Sequence, residues 1–232
     1  MAKRKNTEKK KIALKSEKIN VKDPNNEVET QFFWLVGIII VIILGFVFVP
    51  ILYHQIFEKF EYGGVKFEKI KEGQLTFYHG QFPIVYKGNF SAVYNVYFRN
   101  DPRKNKIPIN ITLGISKKIT VSLNNDAHLC EDMILGQSEL GKFFGSFPFV
   151  KNVSTGIYSA SVAKELDMPQ ITCENASIDS TVIVIQKSET PSIEMGNREN
   201  CYILNIGKCE YLETVERFVV GAMAQVNEKP LE

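Results

Sequence analysis

Ser161-Val162-Ala163-Lys164 is the spacing in this sequence that comes nearest to a catalytic pair. On one helical turn an S-x-x-K places a lysine amine over a serine hydroxyl, and a desolvated lysine of lowered pKa can then act as base for the serine nucleophile. The companion motifs S-D-N and K-T-G are absent, and Ser154-Thr155-Gly156 only echoes the second. Thirteen serines in a lysine-rich chain give about one such spacing by accident. A Ser161/Lys164 serine hydrolase therefore stands as the alternative reading, and no catalytic residue is assigned. H-E-x-x-H, G-x-S-x-G, Walker A and G-x-G-x-x-G do not occur. The three histidines, His54, His79 and His128, are too few for a histidine-rich metal site and read as boundary or surface residues. Asn124-Asn125-Asp126 followed by Glu131-Asp132 offers oxygen ligands without the EF-hand spacing or its glycine. Carboxylates before a helix N-terminus explain that stretch. Neither a metal nor a cofactor is expected.

Other residues have chemistry that depends on the compartment. Cys130, Cys173, Cys201 and Cys209 are an even set without a C-x-x-C, which argues for two disulfides in an oxidising compartment over zinc or thioredoxin-like chemistry. The stretch between Cys201 and Cys209 begins as a strand, and an extended chain carries two cysteines too far apart to bond. A Cys201–Cys209 bridge is disfavoured, and the other two connectivities remain open. Asn89, Asn110, Asn152 and Asn175 each open an N-x-[ST] sequon and are glycosylation candidates. Arg99, Arg103, Lys104 and Lys106 place four positive charges against one acid in an Asx/Pro turn. That turn could meet an anionic glycan or lipid headgroup, or could simply be solvated, its charges resisting edge-to-edge pairing.

An anchor must hold these groups in that compartment. Residues 32–53 form a run of 22 without a charge. About 20 apolar residues in a helix cross a hydrocarbon core of about 30 Å. Trp34 and Tyr53 stand near the two ends, where amphipathic rings favour the headgroup level. The run is longer than a signal-peptide core, and His54-Gln55-Ile56-Phe57 offers no small-residue cleavage site, so the segment is read as a retained signal anchor. Residues 1–22 carry nine Lys or Arg against two Glu, whereas residues 54–72 carry four Lys and four Glu. This asymmetry places the N-terminus in the cytoplasm and the bulk of the chain outside. The tail has no aromatic residue for stacking on bases, and an anionic leaflet attracts it, so lipid rather than nucleic acid is its expected partner.

Residues 61–227 are long enough for one core. Strand-like alternation runs through 65–70, 75–78, 90–98, 107–111 and 119–123, and later through 171–173, 181–186, 193–195 and 202–206. The stretch 107–111 reads as the return strand of a hairpin, and Pro108 places it at an edge. Two helices are expected, 131–144 and 210–226, each opening with Cys-Glu. "YNVYFRNDPRKNKIPI" and "CEYLETVERFV" resemble stretches of single-pass surface proteins of small-genome archaea that have no assigned function. The resemblance covers about two thirds of the outer domain. It implies a single-pass topology and transfers no site residue.

The expected class is α+β, an N-terminal transmembrane helix followed by an extracytoplasmic domain of antiparallel sheet with two helices. The expected segments are a basic disordered tail (1–31), the span (32–53), a juxtamembrane linker (54–60), the outer domain (61–227) and a short C-terminal tail (228–232). Such a chain is a cell-membrane protein with a binding or structural role in the envelope. Its expected partners are the bilayer and an envelope glycan or protein, or it serves as an accessory subunit of a larger membrane assembly.

Overall fold

A computed structural model describes residues 24–53, 58–124, 127, 129–228 and 231. It divides into two units, Met1–Leu52 and Tyr53–Glu232. In the first unit, helix α1 runs from Pro24 to Tyr53, and no residue between Phe32 and Val49 is buried. A helix apolar on every side has no aqueous face, so a membrane is the solvent that suits it. Most of the basic tail lies outside the described residues, as do His54, Asn125, Asp126 and His128.

The second unit is α+β and, among the described residues, holds two sheets and three further α-helices. The first sheet is an antiparallel meander of β1 (Lys59–Tyr62), β2 (Val65–Glu72), β3 (Leu75–Tyr86) and β4 (Asn89–Phe98), in that order. Strand β1 begins inside the segment expected to be a linker. Two-residue turns join the strands. In Gly63-Gly64 and in Lys87-Gly88 both residues have positive φ, the conformation whose twist matches that of the flanking strands. A Cβ on Gly63 would also stand 3.2 Å from that of Ala224. Val65, Phe67, Phe82, Ile84, Tyr94, Val96 and Phe98 line the buried face.

The second sheet corrects the all-antiparallel expectation. Its six strands are β5 (Ile109–Asn110), β6 (Lys118–Asn124), β7 (Asn152–Ile157), β8 (Ser180–Lys187), β9 (Ser192–Met195) and β10 (Cys201–Ile206). They lie in the order β5-β9-β10-β8-β6-β7, and every pairing is parallel except β9 with β10. Helix α2 (Met133–Gly145) crosses over from β6 to β7, and α3 (Ala160–Glu165) follows β7. Strand β8 is buried on both faces from Thr181 to Ile185, the burial that a continuous apolar run in a parallel sheet implies. Residues 107–111 do not return along β4. A turn at Asp101 leads the chain toward α4 (Tyr211–Val226), where Asn105 donates to the Glu213 carbonyl. Only Ile109–Asn110 then forms strand, parallel to β9, and it is an edge strand as Pro108 suggests. Ile171 is extended beside Ile157, but Cys173–Asn175 is a 3-10 turn rather than the end of a strand.

Helices α2 and α4 lie between the sheets. Phe143 of α2 meets Tyr94 of β4, while Phe218 of α4 meets Tyr202 of β10. From Tyr211 to Ala224 every residue of α4 except Glu213 is buried. Leu231, in the expected tail, packs on the same core. On the far face of the second sheet a smaller cluster forms around Cys173, Val182, Val184 and Cys201. The cysteines pair Cys130–Cys209 and Cys173–Cys201, with no free thiol and no Cys201–Cys209 bridge. The first bridge joins the turns that lead into α2 and α4, so the cysteine of each Cys-Glu pair lies just before its helix rather than in it.

Candidate functional site

Three parallel strands, β6, β8 and β10, end together, and side chains at their carboxyl ends form a polar rail. Asn124 Nδ2 donates to Gln186 Oε1 (3.0 Å), and Gln186 Nε2 donates to Asn205 Oδ1 (2.9 Å). Asn205 Nδ2 reaches Ser192 Oγ (2.8 Å) and Glu194 Oε1 (3.3 Å). The register sets Asn124 opposite Gln186 and Gln186 opposite Asn205, so each amide donates along the rail to the next strand. These groups satisfy one another and lock the register, as a connected polar network does.

Open space lies on the other face, beyond the carboxyl ends of β6 and β7. A cleft of about 390 Å³ is lined by Leu123, Met133, Gln137, Thr155, Gly156, Ile157, Ser159, Val162, Leu166 and Met168. Beyond the carboxyl ends of parallel strands is where open α/β sheets hold ligands, and this volume falls within the range of small-molecule sites. Helix α2 supplies Met133 and Gln137, and the turn into α3 supplies Ser159. Gly136, beside Gln137, lets α2 settle on Tyr211, whose ring would stand 2.5 Å from a Cβ there. Among the described residues the fully buried Tyr211 hydroxyl finds no hydrogen-bond partner. Burial raises its pKa, and the nearby Gln137 amide pulls the other way without reaching hydrogen-bonding geometry. Among the described residues no charged side chain lines the cleft. Its thioethers adapt to shape, and Gln137, Thr155 and Ser159 offer neutral hydrogen bonds. Such a site suits an uncharged apolar ligand with one polar end.

The expected hydrolase pair borders this cleft without facing it. Ser161 and Lys164 are exposed on α3, and Ser161 Oγ lies 3.0 Å from Ser159 Oγ. Both side chains thus stand on the surface of α3 rather than in the enclosed setting such a dyad needs.

The basic turn is divided between roles. Arg103 donates from Nε and Nη2 to both oxygens of buried Asp101 and lies 3.8 Å from the centre of the Phe60 ring. Burial works to raise Asp101, but the hydrogen bonds and charge of Arg103 outweigh it and hold the carboxyl below its ordinary range. The Arg99 guanidinium covers Phe77, and Lys104 and Lys106 are exposed. Two of the four cations therefore brace the first sheet. Asn89, Asn110, Asn152 and Asn175 are all exposed, though Asn175 Oδ1 accepts the Thr172 amide.

Reading the sequence for motifs misses the buried pair at the centre of α4. Glu216 accepts the Arg99 amide at 2.6 Å on one oxygen, and on the other the Asn100 amide at 3.1 Å and Asn100 Nδ2 at 2.9 Å. Arg217 donates to the Ile107 carbonyl at 3.0 Å and to the Tyr62 hydroxyl at 2.6 Å. Burial pushes Glu216 up to about 7 against those three donors, and the Glu139 carboxylate adds to the rise. Glu139 is raised by burial as well, and it accepts the Tyr94 hydroxyl. No motif marks the α4 pair in the sequence, where Glu213, Glu216 and Arg217 fall at the spacing of an ordinary polar helix face. Among the described residues no group of three or more His, Cys, Asp or Glu could hold a metal ion. No family model, no curated protein and no solved structure matches the chain.

Proposed function

We propose that the protein is a single-pass, membrane-anchored module whose extracytoplasmic domain binds an uncharged, apolar ligand in the cleft between α2 and α3. The observation that carries this reading is the cleft, with its apolar wall and neutral polar groups at the carboxyl edge of parallel strands. The orientation rests on the basic residues before the span, and the two disulfides fit an oxidising compartment. The cell membrane is the compartment this reading implies. An acyl chain or the apolar side chain of an envelope protein has the right chemistry.

A photoactivatable fatty alcohol, offered to the full chain in nanodiscs, tests the reading. Labelled peptides are expected from α1, which reports the bilayer, and from the cleft around Met133, Leu166 and Met168. Val162→Trp should fill the cleft and remove the second set alone. Labelling confined to α1 in the parent protein would overturn the ligand assignment. Protease added to intact cells tests orientation, and protection of the region after Tyr53 would reverse it.

A further inference from the structure

We infer that the free edge of β4 is an interaction surface for β4 of a second copy of this chain, paired antiparallel about Asn95. A sheet edge presents unpaired N–H and C=O groups, and proteins blunt such edges with short strands, charges, proline or a covering segment. Three of the four edges in this domain are blunted. Strand β1 has four residues, two of them charged (Lys59 and Glu61). Strand β5 has two residues and follows Pro108. The outer side of β7 is covered where Ile157 donates to the Pro169 carbonyl and accepts from the Ile171 amide.

Strand β4 has none of these devices over Ala92–Phe98; its one irregularity, a bulge that leaves Ser91 unpaired where the register shifts between Ile84 and Val85, lies outside the stretch centred on Asn95. Its ten residues, NFSAVYNVYF, contain no charge, no proline and no glycine, and its only neighbour is β3. Among the described residues no backbone group of β4 bonds to anything beyond β3. The stretch expected to return along it turns away to the second sheet. The edge is also held in shape, because Tyr94, Val96 and Phe98 are fixed in the core.

The order of side chains selects a second copy as occupant. About Asn95, the sequence VYNVY sets Val93 opposite the partner's Tyr97 on the outer face, and Tyr94 opposite the partner's Val96 on the inner one. Aromatic residues opposite β-branched ones are among the favourable cross-strand pairs. Val93 and Tyr97 are 44% and 47% exposed, so pairing removes apolar surface from water. Gln81 donates to Asn95 Oδ1 at 3.2 Å, and Asn95 Nδ2 makes no hydrogen bond among the described residues, which leaves it for the other Asn95. No charge along β4 opposes a like charge. The product is closed: an eight-stranded sheet, twice the four present here, would end on the two charged β1 strands, so assembly stops at two.

Cross-linking the full chain in nanodiscs holding two or more copies tests this. All four native cysteines are bonded, so Asn95→Cys adds a single free thiol. A short bis-maleimide should join that introduced thiol to its counterpart in the second copy. Ser91→Cys, whose thiols would sit about 27 Å apart in this register, should not cross-link. Asn95→Lys places like charges opposite each other and should weaken the dimer about fivefold with the melting temperature unchanged. Should that variant not fold, Asn95→Asp makes the same test with the opposite charge. An introduced thiol at position 95 that takes up maleimide readily but forms no dimer overturns the inference. So does cross-linking to a different protein, or a dimer indifferent to both charged variants.

Discussion

The two sheets of the outer domain are tied to the same pair of helices by different means. In the first, every strand pairs with its neighbour in the chain, and hydrogen bonds add to the shared apolar core in tying it to α4: Glu216 to the backbone of Arg99 and Asn100, and Arg217 to Tyr62 and to the Ile107 carbonyl that follows the sheet. In the second, β5 with β9, β10 with β8 and β8 with β6 join strands that are not consecutive, and all four cysteines lie in or beside this half. Non-local pairing must close long loops, and a covalent link removes that entropy from the unfolded chain. Hairpins close short loops, so apolar packing and hydrogen bonds hold the meander on its helix without a covalent link. Cross-links thus stand where topology makes folding costly.

Breaking the bridges should have the largest effect. The separations are 79 residues for Cys130–Cys209 and 28 for Cys173–Cys201. On chain-entropy grounds these give about 4.5 and about 3.5 kcal/mol. Cys130→Ala with Cys209→Ala should therefore lower the denaturation midpoint more than Cys173→Ala with Cys201→Ala. Hydrogen exchange should show β6–β8 opening while β2–β4 stay protected. The reverse order of stabilities would mean that packing on the far face, where Cys201 is fully buried, outweighs loop length.

The polar clasp is tested through pH. Glu216 binds its proton more tightly in the folded chain, at about 7, than at the ordinary value of 4.5. Its contribution to stability is thus greatest below 4.5, declines as the pH rises from there to about 7, and is level above. The shift corresponds to about 3 kcal/mol over that window. Urea melts at pH 5 and pH 8 should show this difference shrinking in Glu216→Gln. A slope that survives would move the effect to Glu139 and Glu213, both raised by burial.

Arg103→Ala probes the rim of the same sheet, and a smaller loss is expected. The guanidinium side chain is 46% exposed, which screens its attraction to Asp101, so about 1 kcal/mol should be lost. The effect has the opposite sign in pH to that of Glu216. Asp101 is held below its ordinary value, so its contribution is present above that value and lost as the pH falls further. The variant should match the parent most closely in strong acid, which thermal melts at pH 3 and pH 7 can check.

The same contrast governs what was legible in the sequence. Val65, Phe67 and the alternation of β4 mark strands because each pattern lies within a few residues. Phe82 and Ile84 fall in the part of β3 beyond the expected 75–78, and β4 pairs with β3 rather than with 107–111. Strand β7, Asn152–Ile157, escapes because NVSTGI carries little apolar periodicity, and its place at an edge is set by β6, which is far away in sequence. The run TVIVI in β8 has the continuous apolar character of a strand buried on both faces, which distinguishes it from the alternating antiparallel strand expected there. The cysteines were readable as a set of two bridges, and the Cys201–Cys209 exclusion held because Cys201–Ile206 is strand. The cleft had no motif to announce it. Met133, Gln137, Ser159 and Met168 converge only because α2 and α3 flank the ends of β6 and β7.

The smallest expected effect falls on the motif that looked most chemical. Ser161 and Lys164 sit on a helix of six residues at the rim of the second sheet, and both are exposed. A lysine serves as base to a serine where it is enclosed, and α3 leaves Lys164 on the surface. Ser161→Ala and Lys164→Ala should each stay within about 0.5 kcal/mol of the parent, as exposed substitutions away from caps and core do. A fluorophosphonate probe should label neither the parent nor the variants. Labelling of the parent that disappears in Ser161→Ala and in Lys164→Ala would show α3 turning inward, with the lysine desolvated against Val162 and Leu166. The cleft would then be the acyl pocket of a hydrolase, and the half of the domain held by disulfides would be the half that moves.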